Sequence, residues 1–260
     1  MKFVALTALA AALLATPALA AEAQVDVSYA YNEPSTGDSV TATGVAGKAV
    51  WMASDTMGVQ LDGAWAHLEG GTGSFLGLPS GSSSQLTAHL FGRNDEGALG
   101  LFAGSRDVKA GFTLTYDYAG IEAQRYFGDV TLEVAAGKGR LGALFANPES
   151  YGAGAEARFF RGDNTRFDLR GGISHTDAGV FTGETDLWNV GVGFEHRFDG
   201  PLSLFAAYDY AEGKDAGYEA NVLTVGVRMN FGADTLKGRE RSGPGLGGDR
   251  LFAKAVDFVF

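Results

Sequence analysis

The chain has 260 residues, a formal net charge of -11 and no cysteine. The negative charge weighs against nucleic acid as a partner, because nucleic acids attract basic surfaces. The 39 glycines and 12% of aromatic residues are not typical of a helical protein, and without cysteine no disulfide can hold the fold together.

The first twenty residues predict a cleaved secretory signal peptide. Lys2 supplies a positive charge, an apolar run follows over Phe3–Leu14, and Ala18-Leu19-Ala20 fits a small-x-small cleavage site. An N-terminal membrane anchor is the alternative, but the run is short for a span and ends at Pro17. We therefore expect residues 1–20 to be removed. No later apolar run in the sequence is long enough for a transmembrane helix, so residence in a membrane would require a barrel of strands.

The remaining chain consists of segments in which apolar and polar residues alternate. This period of two places successive side chains on opposite faces of a β-strand. The pattern is clearest over 221–231, where Leu223, Val225 and Val227 alternate with polar residues or glycine. Reading every such segment predicts twelve strands, near residues 24–31, 40–51, 57–68, 85–93, 97–106, 115–127, 129–138, 151–161, 164–176, 186–198, 201–211 and 221–231.

The connections between these predicted strands alternate in length along the chain. Three short ones resemble one another, since each joins an aromatic residue to a Gly/Asp pair, at 126–129, 160–163 and 197–200. Alternation of tight turns with long loops is typical of a closed up-and-down transmembrane β-barrel with short periplasmic turns and longer extracellular loops. A soluble β-sandwich also shows alternating strands, but it does not explain why long and short connections take turns.

The end of the twelfth predicted strand carries Thr224, Gly226, Met229 and Phe231. This spacing resembles the C-terminal insertion signal of the outer-membrane β-barrel proteins of Gram-negative bacteria. The resemblance implies assembly by the barrel-assembly machinery and location in the outer membrane, in contact with its lipid and lipopolysaccharide. In that family the signal normally closes the chain, whereas here 29 residues follow Phe231.

The predicted organisation is thus a signal peptide over 1–20, an outer-membrane barrel over 21–231 and a periplasmic C-terminal tail over 232–260. The tail contains a charged stretch and a glycine-rich stretch with Pro244, which predicts a flexible linker. It ends at Phe260, a second candidate for the end of the barrel. Because the tail is basic and the preceding chain acidic, two alternatives stay open: a plug folded back into the barrel, or a periplasmic extension.

The polar faces of the predicted strands would line the interior of the barrel. They carry Asp26, Ser28, Lys48, Gln60, His89 and Gln124. They also carry the residues that we predict to line a pore, namely Asp62, Arg93, Arg106, Glu122, Glu133, Glu156, Arg158, Arg166, Asp168, Arg170, Glu195, Arg197, Asp209 and Arg228. A barrel of twelve strands is intermediate in width. Narrower barrels have an interior that side chains fill, and wider barrels leave an open channel. Small inward residues would leave room for water and favour a narrow pore: Gly104, Gly154, Gly172, Gly191, Gly193 and Gly226.

By its pattern the mature chain is similar to porin-like outer-membrane proteins of modest size. The resemblance implies passive diffusion of ions or small polar solutes with no cofactor, and the acidic composition favours cations. The alternative is a structural or adhesive barrel with a filled lumen and no transport.

An enzyme is disfavoured by the sequence. Ser174, His175 and Asp177 are the one imaginable catalytic set, but neighbouring residues on a strand point to opposite faces, so Ser174 and His175 cannot meet. The four histidines have no metal-ligand spacing and there is no cysteine.

Overall fold

The computed structural model describes residues 22–35, 38–70, 80–109, 111–142, 148–177, 184–214 and 218–251. The predicted signal peptide and Phe260 lie outside the described residues. Within them the chain forms twelve strands, a short helix α1 (Leu236–Ser242) and a helical turn over residues 248–251. The strands are β1 (Glu22–Pro34), β2 (Val40–Met52), β3 (Met57–Gly70), β4 (Ser80–Asn94), β5 (Gly97–Lys109), β6 (Thr113–Phe127), β7 (Val130–Gly142), β8 (Glu149–Phe160), β9 (Thr165–Asp177), β10 (Glu184–Arg197), β11 (Leu202–Gly213) and β12 (Tyr218–Phe231).

These strands form a closed antiparallel barrel in which each strand pairs with its neighbours in the chain. The first and last strands pair with each other, from Ala23 opposite Phe231 to Pro34 opposite Ala220. Closure satisfies the backbone of every strand and leaves no sheet edge exposed. The predicted up-and-down barrel of twelve strands is confirmed.

Several strands are longer than predicted at the end that carries the long loops. Strand β4 begins at Ser80, although we predicted its start at residue 85, and β7 continues to Gly142 instead of 138. The added residues of β4 are serine and glycine, which show no apolar alternation, yet they pair with β3, as Ser80 does with Glu69. Alternation marks only the part of a strand that faces lipid, so it misses a strand that continues beyond the membrane.

The tight turns lie where the sequence predicts them. Gly128, Gly162 and Gly200 have φ angles of 56°, 68° and 105°, the left-handed region that glycine enters without a steric penalty. Of the aromatic residues at these turns, Phe127 and Phe198 point outward, at 53% and 47% exposed. Phe160 is buried instead, because its position in β8 points into the barrel.

The outer surface of the barrel is apolar and the inner surface is polar. Leu86, Leu99 and Ile173 on the outside are 63–69% exposed, and many other large apolar side chains surround the barrel in the same way. Polar and charged side chains outnumber apolar ones among the buried residues. This inverted arrangement suits lipid outside, as in transmembrane barrels. No helix within the described ranges has the length and hydropathy needed to cross a membrane.

The tail turns back into the barrel after β12. The chain reverses at Gly232, whose φ is 94°, and Thr235 caps α1 by accepting a hydrogen bond from the backbone N–H of Gly238 at 2.9 Å. Beyond α1, residues 243–249 are buried, although they contain few apolar side chains. Of the two alternatives that the sequence leaves open, the described part of the tail, up to Leu251, lies in the lumen.

Candidate functional site

The lumen is the candidate site, and all fourteen residues predicted to line a pore face it. Twelve of the fourteen are buried, and Arg106 and Arg228 are half-buried. The local reason is the period of two, which places these side chains opposite the apolar outer belt. The polar faces of the strands that carry these residues therefore line the lumen, as predicted.

Strand register brings opposite charges face to face across neighbouring strands. Arg228 lies directly opposite Asp26 where β12 pairs with β1. The same holds for three further pairs of facing residues on β8, β9 and β10: Glu156 and Arg170, Arg158 and Asp168, and Arg166 and Glu195. Because directly opposed residues are close neighbours in a sheet, the register itself builds ion pairs into the wall.

These pairs join into one network, which we call the arginine cluster: Arg158, Arg166, Arg170 and Arg228 with Asp26, Glu133, Glu156, Asp168, Glu195 and Asp209. Arg170 donates two hydrogen bonds to Asp209, at 2.7 and 2.8 Å. Arg228 donates two to Asp26, at 2.6 and 2.7 Å. Such two-pronged guanidinium–carboxylate pairs are the strong form of the interaction, so the wall carries well-ordered charges of both signs.

Three charged residues of the tail enter this cluster. Arg239 binds Glu195 through two hydrogen bonds at 2.8 and 2.9 Å. Glu240 accepts hydrogen bonds from Arg158 and, at 3.5 Å, from Arg166. Further along the tail, Arg250 donates to Glu156 at 2.6 Å. Tail and wall therefore neutralise one another through specific pairs of both signs, and not through a general attraction of a basic tail to an acidic barrel.

The glycine-rich part of the tail is held through its backbone. Gln124 and Arg158 both donate to the carbonyl of Gly245 at 2.8 Å. Lys48 and Gln60 donate to the carbonyl of Leu246 at 2.8 and 2.9 Å. The N–H groups of the next two residues reach carboxylates, Gly247 to Glu133 at 2.8 Å and Gly248 to Glu122 at 3.0 Å. A segment without large side chains can thus satisfy its buried backbone against the polar wall.

A second group of charges, the histidine cluster, occupies the wall of β2, β3, β4 and β6 beside the tail. Its members are Lys48, Asp62, His89, Glu122 and the tail residue Asp249. Lys48 lies 2.5 Å from Asp62, and His89 lies 2.7 Å from Glu122. Asp249 accepts from Gln85 at 3.0 Å and Thr87 at 3.1 Å. The sequence analysis placed the wall residues in the lumen but missed Asp249, because nothing in the tail's local pattern shows what it contacts.

Two leucines give the tail apolar anchors. Leu246 is fully buried against Val50, Phe91 and Ala98, and Leu251 packs with aromatic residues of β5 and β6. These contacts stabilise the docked tail by removing apolar surface from water. The tail is therefore held by polar and apolar contacts together.

The inward glycines do not leave room for water, contrary to our expectation. A side chain at Gly193 would lie 2.9 Å from Asp168, and one at Gly226 would lie 2.5 Å from the Phe205 ring. The same is true of the other four positions, where neighbours fill the space: Gly104, Gly154, Gly172 and Gly191. Because these glycines have no side chain, larger groups from adjacent strands or from the tail pack against them. At Gly154, for example, an added β-carbon would lie 3.1 Å from the β-carbon of Leu251.

The tail is also fastened at the end of the barrel with the short turns. Arg197 donates to the carbonyl of Ala233 at 2.7 Å, and the Lys237 ammonium donates to Asp129 at 2.6 Å. The hydrogen bond from Lys237 lowers the pKa of the exposed Asp129 carboxyl. The tail therefore enters from the turn side, which in outer-membrane barrels is the periplasmic side.

Small residues line the loop side of β1, β2, β3 and β12, above the ion pairs. Ser28, Gly44, Ala64, Ala66 and Thr224 point inward and are half-buried, in contrast to the buried charges below them. This part of the lumen wall is lined by small side chains and is more exposed to solvent than the charged part below it.

The possible catalytic set is separated, as expected from strand geometry. Ser174 is buried on the inner face, whereas the His175 side chain is 43% exposed and lies 2.8 Å from Asp186 on β10. Ser174 and His175 therefore do not form a nucleophile and base pair.

The barrel resembles solved outer-membrane proteins in architecture but not in sequence. An outer membrane channel from Pseudomonas putida F1 shares 14% identity with a TM-score of 0.64, over 80% of this chain and 95% of that one. The translocator domain of an autotransporter from Neisseria meningitidis shares 15% identity with a TM-score of 0.53, over 80% and 88%. The β-domain of a Bordetella autotransporter shares 15% identity with a TM-score of 0.53, over 81% of this chain and 99% of that one.

No protein-family model matches the chain, and no curated protein is similar to it in sequence. The likeness to solved structures is one of fold. Combined with the apolar outer belt, it identifies the chain as a transmembrane β-barrel of the outer-membrane type.

Proposed function

We propose that this protein is an outer-membrane channel for ions or small polar solutes that its own C-terminal tail closes from the periplasmic side. The observation that carries the proposal is that a polar tail segment occupies a polar lumen. The plug is held largely by polar contacts. Wall side chains donate hydrogen bonds to the backbone carbonyls of Gly245 and Leu246, and charged side chains of the tail pair with the wall, as Arg239 does with Glu195. Water can replace hydrogen bonds of this kind when a tail leaves, which it cannot do for a packed apolar core.

The wall supports this function because many of its ion pairs do not need the tail. Arg170 with Asp209, Arg228 with Asp26, and Lys48 with Asp62 are contacts between strands. Barrel closure also depends on β1 and β12 and not on the tail. Removing the tail would therefore leave a closed barrel with a charged, hydrated wall.

The charges also bear on which solutes would pass. Arginines and carboxylates alternate along the lumen in pairs, so neither sign dominates the described wall. We therefore expect passive diffusion with weak ion selectivity, in place of the strong cation preference that the net charge of the chain suggests. The proposal assigns no catalytic step and no cofactor to the lumen.

The deciding experiment compares the refolded mature chain with a variant that lacks residues 232–260, in planar bilayers. We expect a closed or rarely opening full-length chain and steady conductance steps from the shortened one. A heat-dependent shift on gels would verify that both are folded barrels. Equal conductance of the two chains would show that the tail is not a plug.

The second candidate is a structural or adhesive barrel whose lumen is permanently filled. The close fit of side chains against Gly193 and Gly226 favours it, because this packing does not involve the tail. A folded, shortened barrel that stays silent in bilayers would support this candidate and reject the channel.

A further inference from the structure

Three side-chain atoms of the histidine cluster converge on one point at the boundary between wall and tail. They are Nε2 of His89, Oδ2 of Asp62 and Oδ1 of Asp249, and all three lie within 4.8 Å of one another. Nε2 of His89 is 3.5 Å from the Asp62 oxygen and 3.8 Å from the Asp249 oxygen. The three residues are 1%, 6% and 4% exposed. Two strands and the tail therefore aim one nitrogen and two oxygens at the same buried position.

Nε2 of His89 and Oδ1 of Asp249 have no hydrogen-bond partner, and Oδ2 of Asp62 contacts only the Lys48 ammonium, at 2.5 Å, among the described residues within hydrogen-bond length. The distances from Nε2 of His89 to the two carboxylate oxygens, 3.5 and 3.8 Å, are longer than a typical hydrogen bond, so the imidazole holds neither carboxylate closely. The Lys48 ammonium also donates a hydrogen bond to the carbonyl of Leu246, at 2.8 Å. Lys48 therefore keeps a partner if another cation takes the Asp62 oxygen. Buried polar atoms normally have partners, so a buried imidazole nitrogen and a buried carboxylate oxygen that converge without one point to a ligand between them.

The remaining polar atoms of these residues are already fixed by neighbours. Nδ1 of His89 lies 2.7 Å from Oε1 of Glu122, and Gln60 donates to Oδ1 of Asp62 at 2.8 Å. Gln85 and Thr87 both donate to Oδ2 of Asp249. A histidine that gives one ring N–H to a carboxylate and presents its other nitrogen is the usual arrangement around a metal ion, because the outer carboxylate sets tautomer and orientation.

We propose that Asp62, His89 and Asp249 bind a divalent transition-metal ion, with zinc as the best match. Zinc accepts imidazole nitrogen and carboxylate oxygen at about 2.0–2.2 Å, so ligand atoms separated by 3.5 and 3.8 Å fit around one ion. Charge agrees as well, because the three carboxylates of the cluster face one ammonium and therefore attract a further cation. Soft thiolate ligands are absent from the chain, and imidazole selects against calcium and magnesium.

The ion would join the tail to the barrel wall, since Asp249 is the one ligand of the three that the tail contributes. Zinc would then stabilise the docked tail, because the docked state would bind the ion more tightly than the released state does. Glu122 is a positioning residue in this scheme, because it acts on the metal through His89.

The test is zinc binding to the refolded, chelator-treated mature protein, measured by calorimetry and by metal content after desalting. We expect one zinc per chain, and no more than a tenth of the wild-type affinity in His89→Gln and in Asp249→Asn. Glu122→Gln should weaken binding by about 10- to 100-fold, the usual effect of an outer-shell change. The matched control is the triple variant His67→Gln/His175→Gln/His196→Gln, which leaves His89 as the sole histidine and should bind one zinc normally.

X-ray absorption on the zinc-loaded wild-type chain gives a readout that does not depend on whether the variants fold. One imidazole and oxygen neighbours would support the site. A folded wild-type chain that takes up no zinc, or zinc that the triple variant loses and His89→Gln keeps, would overturn the proposal. The result does not depend on conductance, so it stands or falls separately from the proposed channel.

Discussion

Arg239 of the tail and Glu195 of β10 form a two-pronged ion pair near the turn side of the lumen wall, at 2.8 and 2.9 Å. Glu195 also accepts from Arg228 at 2.6 Å, which belongs to the barrel itself. Loss of the tail therefore leaves the carboxylate with a partner. The pair thus links docking of the tail to the wall without making the barrel depend on it.

The first prediction is that Arg239→Ala releases the tail and leaves the barrel folded. The loss of hydrogen bonds to a charged group should cost about 1.5–3 kcal/mol of docking free energy. The released fraction should then rise about 10- to 100-fold. Trypsin cleavage after Lys237 or Arg241 measures this fraction, and channel opening should increase in parallel. Arg125→Ala, which removes an exposed ion pair with Glu96, serves as the control and should change neither.

The second prediction concerns a covalent lock. A β-carbon at Gly154 would lie 3.1 Å from that of Leu251, slightly below the usual spacing of disulfide-linked residues, and the chain contains no competing cysteine. Oxidised Gly154→Cys/Leu251→Cys should hold the tail in the lumen and suppress every opening, and a reductant should restore wild-type behaviour. Conductance recorded before and after reduction of the same membrane tests this. Openings of unchanged size in the oxidised protein would mean that solutes pass beside the tail.

Sequence reasoning succeeded where the determining pattern is local. The alternation around Val225 and Val227 fixes a strand and its two faces within ten residues, and the turns at Gly128 and Gly162 follow from short-range backbone geometry. Strand ends such as Ser80 were missed because they lie beyond the lipid-facing part. The prediction that the inward glycines leave room for water was wrong, because it considered each glycine without the side chains that neighbouring strands place beside it.

The contacts of the tail could not be predicted from the sequence for a different reason, which is that they join residues far apart in the chain. Glu240 meets Arg158 across 82 positions of the chain, and Leu246 meets Gln60 across 186. The metal-ligand set is equally dispersed, since Asp249 is contributed from the far end of the chain. No spacing within one segment carries such contacts, so charge alone could not decide between a plug and a periplasmic extension.

The third prediction tests the packing role of the glycines. At Gly191 an added methyl group would overlap the Asp209 carboxylate and crowd Arg170, so Gly191→Ala should displace their ion pair. We expect a loss of about 1–3 kcal/mol in the free energy of unfolding, measured by urea titration in lipid vesicles. Gly63→Ala is the matched control, because nothing lies within 4 Å of its added carbon. Equal stability of the two variants would mean that water, and not protein, occupies the space beside Gly191.

The last prediction concerns the assembly signal Thr224, Gly226, Met229 and Phe231, whose role in recognition is still a prediction. Phe231 ends β12 and pairs with Ala23 of β1, so it lies at the seam where the barrel closes. Phe231→Ala should therefore lower the amount of barrel assembled in the outer membrane of cells. Refolding of the same variant into detergent should stay near wild type, because the half-buried ring contributes little to the closed barrel. Phe260→Ala is the control for the other candidate end of the barrel. If it is the variant that reduces assembly in cells, the assembly machinery recognises the chain terminus, and the strand signal at Phe231 has only a structural role.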